Sequence, residues 1–193
     1  MRYLEDDEFM RGKVPMTKRE IRILTMAELA TEPGAVVADI GAGTGSLSIE
    51  AARAVGIGRV YAVERNPEAV GLIRENARRL GVENITVLEA EAPEGMDRLP
   101  ILDGAIVGGS GGQLEKILDA LDGRLRAGGR IILNCITIQT LAAALSYMRQ
   151  RKDYHYRAMQ VQVNALHAVG EYDMAKGMNP IFIVTCIKQE VKA

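Results

Sequence analysis

Short apolar runs alternate with stretches whose apolar residues recur every three or four positions, and this alternation fills most of the chain after residue 30. Ala35–Asp39 (AVVAD) is the first run. A glycine-rich turn separates it from SLSIEAARAVG, where Leu47, Ala51 and Ala54 share one helical face and a glycine closes the helix. Arg59–Val63 (RVYAV) predicts a second strand. Asn66-Pro67 then reads as an N-cap with proline at the first helical position. That helix continues to Leu80 with Val70, Ile73, Ala77 and Leu80 as its stripe, and Gly81 closes it. Ile85–Leu88 and Gly104–Val107 predict the third and fourth strands, and residues 113–125 an amphipathic helix with Leu114, Ile117, Leu118, Leu121 and Leu125 inward. Arg130–Cys135 (RIILNC) is the fifth strand, and Ile138–Arg149 the helix after it.

Near residue 156 the period changes to two. AMQVQVNALHAV alternates, IFIVTCI reads as a buried strand, and Gly170, Gly177 and Pro180 lie between them. Adjacent strands with no helix between them predict an antiparallel pair at the end of a parallel sheet. The expected fold is therefore α/β: a doubly wound, mostly parallel seven-stranded sheet with a terminal antiparallel strand pair, in a single domain. An N-terminal segment and helix occupy residues 1–30, the βα core 33–155 and the strand pair 156–188. Before the sheet, Thr17-Lys18-Arg19-Glu20 reads as a capping box opening a helix with Ile21, Leu24 and Leu29. Thr17 is thus expected to be an N-cap, which is compatible with a place beside a ligand. Alternating Val161, Val163 and Ala165 present an apolar face that self-association is expected to cover.

Composition narrows the function. A net charge of −1 gives no basic field for nucleic acid or an anionic membrane, and 4% aromatics leave few platforms for stacked bases. The N-terminus has no signal-like apolar stretch and no run is long enough to span a bilayer, so a cytoplasmic protein is expected. Cys135 and Cys186 sit in apolar strand runs and read as buried reduced thiols. His155 and His167 lie far apart with no third ligand, so no metal site is expected.

The chemistry concentrates in Asp39-Ile40-Gly41-Ala42-Gly43-Thr44-Gly45, between the first strand and its helix. Three alternating glycines permit a tight turn and remove the Cβ atoms between main chain and ligand. The spacing is G-x-G-x-G rather than the dinucleotide G-x-G-x-x-G, and the Gly-Lys-Ser/Thr of a phosphate loop is missing. An acid two positions before the first glycine sits badly beside phosphate and suits a cationic or amine-bearing ligand. Glu64, at the tip of the second strand, is placed to accept hydrogen bonds from both hydroxyls of a ribose.

These residues resemble the class I S-adenosylmethionine-dependent methyltransferases over roughly residues 33–188. The resemblance implies that Asp39, Gly41, Ala42, Gly43, Thr44 and Gly45 hold the methionine part of the cofactor and Glu64 its ribose. It also implies that Glu91 and Ala92, after the third strand, meet the adenine, with Glu standing where the family more often has Asp. The segment after the fourth strand, Val107-Gly108-Gly109-Ser110-Gly111-Gly112, lacks the Pro-Pro-aromatic of enzymes that methylate base amino groups, and no cysteine lies in a loop to act as a nucleophile on cytosine.

A closer resemblance rests on DEFMRGKVPMTK (7–18), DIGAGTGSLSIEAA, ERNPEA and IVGGSGGQLEKIL and covers nearly the whole chain. It is to the CbiT-type decarboxylating precorrin methyltransferases of cobalamin biosynthesis. It implies methylation of carbon 15 of cobalt-precorrin-6B, loss of the ring C acetate carboxyl as carbon dioxide, and a homotetramer. The corrinoid substrate is expected to meet Gly108, Gly109, Ser110 and Gly111, with Arg11, Lys13, Lys18 and Arg19 near the mouth to meet its carboxylates. Thr17 is expected beside the cofactor. Methyl transfer from a sulfonium needs alignment and exclusion of water more than an acid or base, so no obligatory catalytic triad is expected, and the sequence names no catalytic acid or base. Two alternatives remain at this point: a methyltransferase for tRNA or protein carboxylates, and a cofactor-binding subunit without activity.

Overall fold

In the computed structural model, which describes residues 2–190, a helix, α1 (Arg19–Leu29), precedes the sheet. The chain then alternates β1 (Val36–Ile40), α2 (Ser46–Val55), β2 (Arg59–Glu64), α3 (Pro67–Arg79) and β3 (Ile85–Glu89). It continues with β4 (Leu102–Val107), α4 (Leu114–Asp122), β5 (Leu125–Cys135) and α5 (Ile138–Arg149). Four strands follow without a helix: β6 (Tyr154–Val161), β7 (Asn164–Val169), β8 (Tyr172–Gly177) and β9 (Ile181–Lys188). Among the described residues, seven of the nine strands form one sheet in the order β3-β2-β1-β4-β5-β9-β6, parallel except for β9, which is antiparallel to both neighbours. The expected mostly parallel, seven-stranded α/β sheet is what the structure has.

Strand residues alternate between two apolar layers. Ala105, Val107, Ile131, Leu133, Val184 and Cys186 pack with α4 and α5 on one face. Val37, Val60, Ile106, Ile132 and Ile183 pack with α1 and α2 on the other. Both faces being covered explains why the strands read as continuous apolar runs. Asn66 caps α3 as the sequence indicates, its side chain accepting from Glu68 N at 2.9 Å.

Three expectations are corrected. Thr17 is not an N-cap: α1 starts at Arg19, Lys18 occupies the cap position, and neither side chain makes a capping bond. The cap comes from a distant residue, because Asp6 Oδ1 accepts from Arg19 N at 3.0 Å. Leu125 is buried as expected, but in β5 rather than in the helix before it. The alternating run after residue 156 is two strands. The β6–β9 ladder ends at Val161↔Ile181, and residues 164–169 pair instead with 172–177 in a separate hairpin around Gly170, whose φ is +64°. Val161 packs against the α1–α2 layer, so the run is not one uncovered face.

The chain before α1 crosses over the sheet's carboxyl end and is pinned by a fully buried cation. Arg22 donates to Asp6 Oδ1 (2.7 Å), Thr17 O (2.8 Å) and Leu4 O (2.6 Å), and lies over the Phe9 ring. Glu50, also buried, accepts from Leu4 N at 2.8 Å. This strap carries residues 14–18 to the mouth of the glycine loop.

Candidate functional site

The strand order reverses between β1 and β4, and the loops that follow β1, β2 and β4 open there into one cleft. The β1–α2 loop has φ of +69° at Gly41, +56° at Gly43 and +77° at Gly45, a conformation that disfavours any other residue. A Cβ on Gly41 would lie 2.6 Å from Gly109 O and 2.8 Å from Gly109 N, so the absent side chain brings the two loops together. A Cβ on Gly43 would meet Pro15 O at 3.3 Å, so this glycine makes room for the strap. Asn76 ties strap to loop from below. Its Oδ1 accepts from Met10 N (2.7 Å), and its Nδ2 donates to Met10 O (2.8 Å) and Thr44 O (3.0 Å).

Glu64 is not a solvated strand end. It is buried, Oε2 accepting from Gly43 N (2.9 Å) and Oε1 from Asn66 N (2.8 Å). Each oxygen can accept one further hydrogen bond, and Glu64 lines the cleft. Asp39 lies fully buried beneath the loop. Ser48 Oγ donates to its Oδ2 at 2.5 Å, while Oδ1 has no partner. Burial pushes its carboxyl up to about 6, and the charge of Glu64 pushes the same way against the Ser48 hydrogen bond. Thr44 Oγ1 is likewise buried without a partner, at a residue that lines the cleft. A buried unpartnered polar atom is costly, and Thr44 Oγ1 on the cleft, with Asp39 Oδ1 beneath the same loop, marks a place built for a polar ligand.

The cleft has two connected lobes that share Gly41, Glu64 and Arg65. The first is bounded by Ala90, Glu91 and Ala92 after β3 and by Gly109, Ser110 and Gly111 after β4. Glu91 is half-exposed and paired with Arg65, an exposed contact of small energetic weight. The second lobe runs under the strap, from Ala42, Gly43 and Thr44 past Thr17 to Gly108 and Asn134. The structure thus brings Thr17, the glycine loop, Glu64, Glu91, Ala92 and the 108–111 segment together, with Asp39 and Gly45 beneath the loop; Gly45 packs on Ile73. Arg11 and Lys13 are not brought in: they stand on an exposed turn outside the lining of both lobes.

Sequence reasoning passed over Asn134. It is buried at the end of β5, bonded to Thr25 Oγ1, and lines the cleft. A polar residue closing an apolar strand run is the signal that picked out Glu64, and it applies equally to RIILNC. Burial pushes the Cys135 thiol up to about 11 and the Cys186 thiol up to about 12, so neither is a nucleophile at neutral pH. Among the described residues no group of acids, histidines and cysteines has metal-site geometry, and no helix is long and apolar enough to cross a membrane.

Residues 7–188 match the family model described as a precorrin methyltransferase domain. The chain belongs to the precorrin methyltransferase family. It is similar to the cobalt-precorrin-6B C(15)-methyltransferase (decarboxylating) of Salmonella typhimurium, at 37% identity over 97% of each chain. Among solved structures it resembles a precorrin-6y C5,15-methyltransferase from Geobacter metallireducens, with a TM-score of 0.91, 41% identity, and 96% of this chain and 97% of that one covered. A precorrin 8W decarboxylase from Methanobacterium thermoautotrophicum superposes with a TM-score of 0.90 at 34% identity, covering 94% of this chain and 98% of that one. The family is one of enzymes.

Proposed function

We propose that the protein methylates carbon 15 of cobalt-precorrin-6B with S-adenosylmethionine and promotes decarboxylation of the ring C acetate, giving cobalt-precorrin-7. The observation that carries this reading is the end-to-end similarity to the Salmonella typhimurium enzyme of that name. The residues present fit the cofactor: Glu64 offers paired acceptors for a ribose, Thr44 an unpartnered hydroxyl, and Asp39 a negative field suited to a cation. When bound, the cofactor supplies an electrophilic methyl group. Gly41–Gly45, Glu64 and Glu91 would hold it, with strap residues 14–18 bordering the second lobe. The balance needs no further reagent. Methylation at carbon releases one proton, decarboxylation of the acetate to a methyl consumes one, and the conjugated ring system carries the electron pair left by carbon dioxide. Incubation of the enzyme with S-adenosylmethionine and cobalt-precorrin-6B, followed by mass spectrometry, is expected to show gain of one methyl and loss of carbon dioxide. Methyl transfer only to tRNA or protein overturns the proposal.

We place the reaction in the cytoplasm and propose that the enzyme works as a homotetramer, with the β7–β8 hairpin seating a second copy. The hairpin exposes Leu166 (71%), Val169 (53%), Tyr172 (76%) and Met174 (57%), and a two-stranded ribbon is marginally stable by itself. Leu166 and Tyr172 lie on opposite faces of it, by the pairing of Leu166 with Ala175 and Val169 with Tyr172. A Leu166→Glu, Tyr172→Glu double variant is expected to show a smaller particle mass than wild type in light scattering, with unchanged affinity for S-adenosylhomocysteine. Wild-type mass in that variant places the assembly surface elsewhere.

A further inference from the structure

We infer that Lys18, with the apolar recess beside it, is a substrate-specificity residue that takes one peripheral carboxylate of the tetrapyrrole. The inference rests on the corrinoid reading above. The recess continues the cofactor cleft, since Lys18, Ile21, Ile136 and Ile181 line both. Its far wall is Val163 and Met178, at the foot of the β7–β8 hairpin. A ligand seated there therefore abuts the second lobe, which is lined by the glycine loop that the proposed function gives to the cofactor.

The chemistry of the recess matches one class of ligand. Among the described residues that line it, Lys18 carries the one formal charge; the rest are apolar apart from Asn179. An apolar wall with one cation at its edge suits a large hydrophobic ring face that carries carboxylates on its rim. A cation beside a low-dielectric wall attracts such a carboxylate more strongly than the same cation in open solvent.

The other basic residues near the mouth are placed differently. Arg11 and Lys13 stand on the outer turn, and Arg19 is engaged by Glu5 at 3.0 Å. Lys18 lies 3.2 Å from Asp6, but Asp6 already binds the fully buried Arg22 and the Arg19 amide. The ammonium has three donors, so one toward Asp6 leaves others for substrate. Asp6 thereby acts as a tether that keeps Lys18 at the rim.

The test compares Lys18→Met, which keeps length and removes charge, with Lys18→Arg, which keeps charge. Steady-state kinetics with cobalt-precorrin-6B are run at saturating S-adenosylmethionine, with calorimetric titration of S-adenosylhomocysteine alongside. Lys18→Met is expected to raise the tetrapyrrole KM roughly 10- to 150-fold, the range that loss of one charged hydrogen bond gives, with kcat and S-adenosylhomocysteine affinity close to wild type. Lys18→Arg is expected to recover most of the loss. A wild-type tetrapyrrole KM in Lys18→Met overturns the inference while leaving the function standing; a wild-type enzyme that makes no methylated, decarboxylated product overturns the function itself. Should Lys18→Met also weaken S-adenosylhomocysteine, Met178→Asp decides. It puts a like charge on the hairpin wall, and a raised tetrapyrrole KM supports the subsite, whereas an unchanged one removes it.

Discussion

Gly41→Ala is expected to abolish measurable binding of S-adenosylhomocysteine. The added Cβ would sit 2.6 Å from Gly109 O, 2.8 Å from its N and 2.9 Å from its Cα, all backbone atoms that no rotamer change can clear. Gly41 also holds a φ of +69°, so the substitution adds left-handed strain of about 1–2 kcal/mol to an overpacking cost of about 1–3 kcal/mol. The loops after β1 and β4 must then part, disturbing the bonds from Gly108 N and Gly109 N to Ile40 O. Gly41 lines both lobes, so the separation falls where the ligand would cross from one to the other. Gly112→Ala is the matched control: its φ is +81°, yet nothing lies within 4 Å of the added Cβ. It is expected to show the backbone strain alone and near-normal affinity. Calorimetric titration and thermal melts of both variants separate the effects. Equal affinities in the two would show that the approach of the loops does not shape the cleft.

The parts of the fold governed by local chemistry were legible in the sequence. The Asn66-Pro67 helix start, the glycine loop and the five parallel strands follow from capping, turn requirements and burial on both faces, all of which act within a few residues. What was misread depends on partners distant in the chain. Thr17-Lys18-Arg19-Glu20 has the form of a capping box, yet Asp6 supplies the cap and Arg22 draws the Thr17 carbonyl, contacts spanning 13 and 5 residues. The sequence reads β7 as a continuation of β6, because the two share a period of two, and leaves β8 in the connection before IFIVTCI; the break is set by where β9 runs out of residues to pair with. The basic turn shows the same limit. Charge and position made Arg11 and Lys13 look equivalent to Lys18, but only the folded strap turns Lys18 toward the cleft.

Glu64→Gln is expected to act twice, once on the free protein and once on the cofactor. In the free protein both carboxylate oxygens are occupied, by Gly43 N at 2.9 Å and Asn66 N at 2.8 Å. A glutamine offers one oxygen and an amino group, so whichever way it turns, a backbone N–H faces another donor. Leaving one such buried group unsatisfied costs about 1–3 kcal/mol, which lowers the melting temperature before any ligand is added. A merely solvated strand end would show no such loss. The second effect falls on the ribose. Loss of one charged hydrogen bond weakens binding roughly 10- to 150-fold, and because the ribose is remote from the transferred methyl, the change should appear as a raised S-adenosylmethionine KM with kcat little altered. The two effects separate in one set of thermal melts with and without S-adenosylhomocysteine at fixed concentration. A weaker Kd shrinks the ligand-induced stabilisation by about 1.4 kcal/mol per decade of affinity, independently of where the free protein melts. A variant that melts lower when free, yet gains as much from ligand as wild type, would leave Glu64 as a brace for the glycine loop with no contact to the ribose.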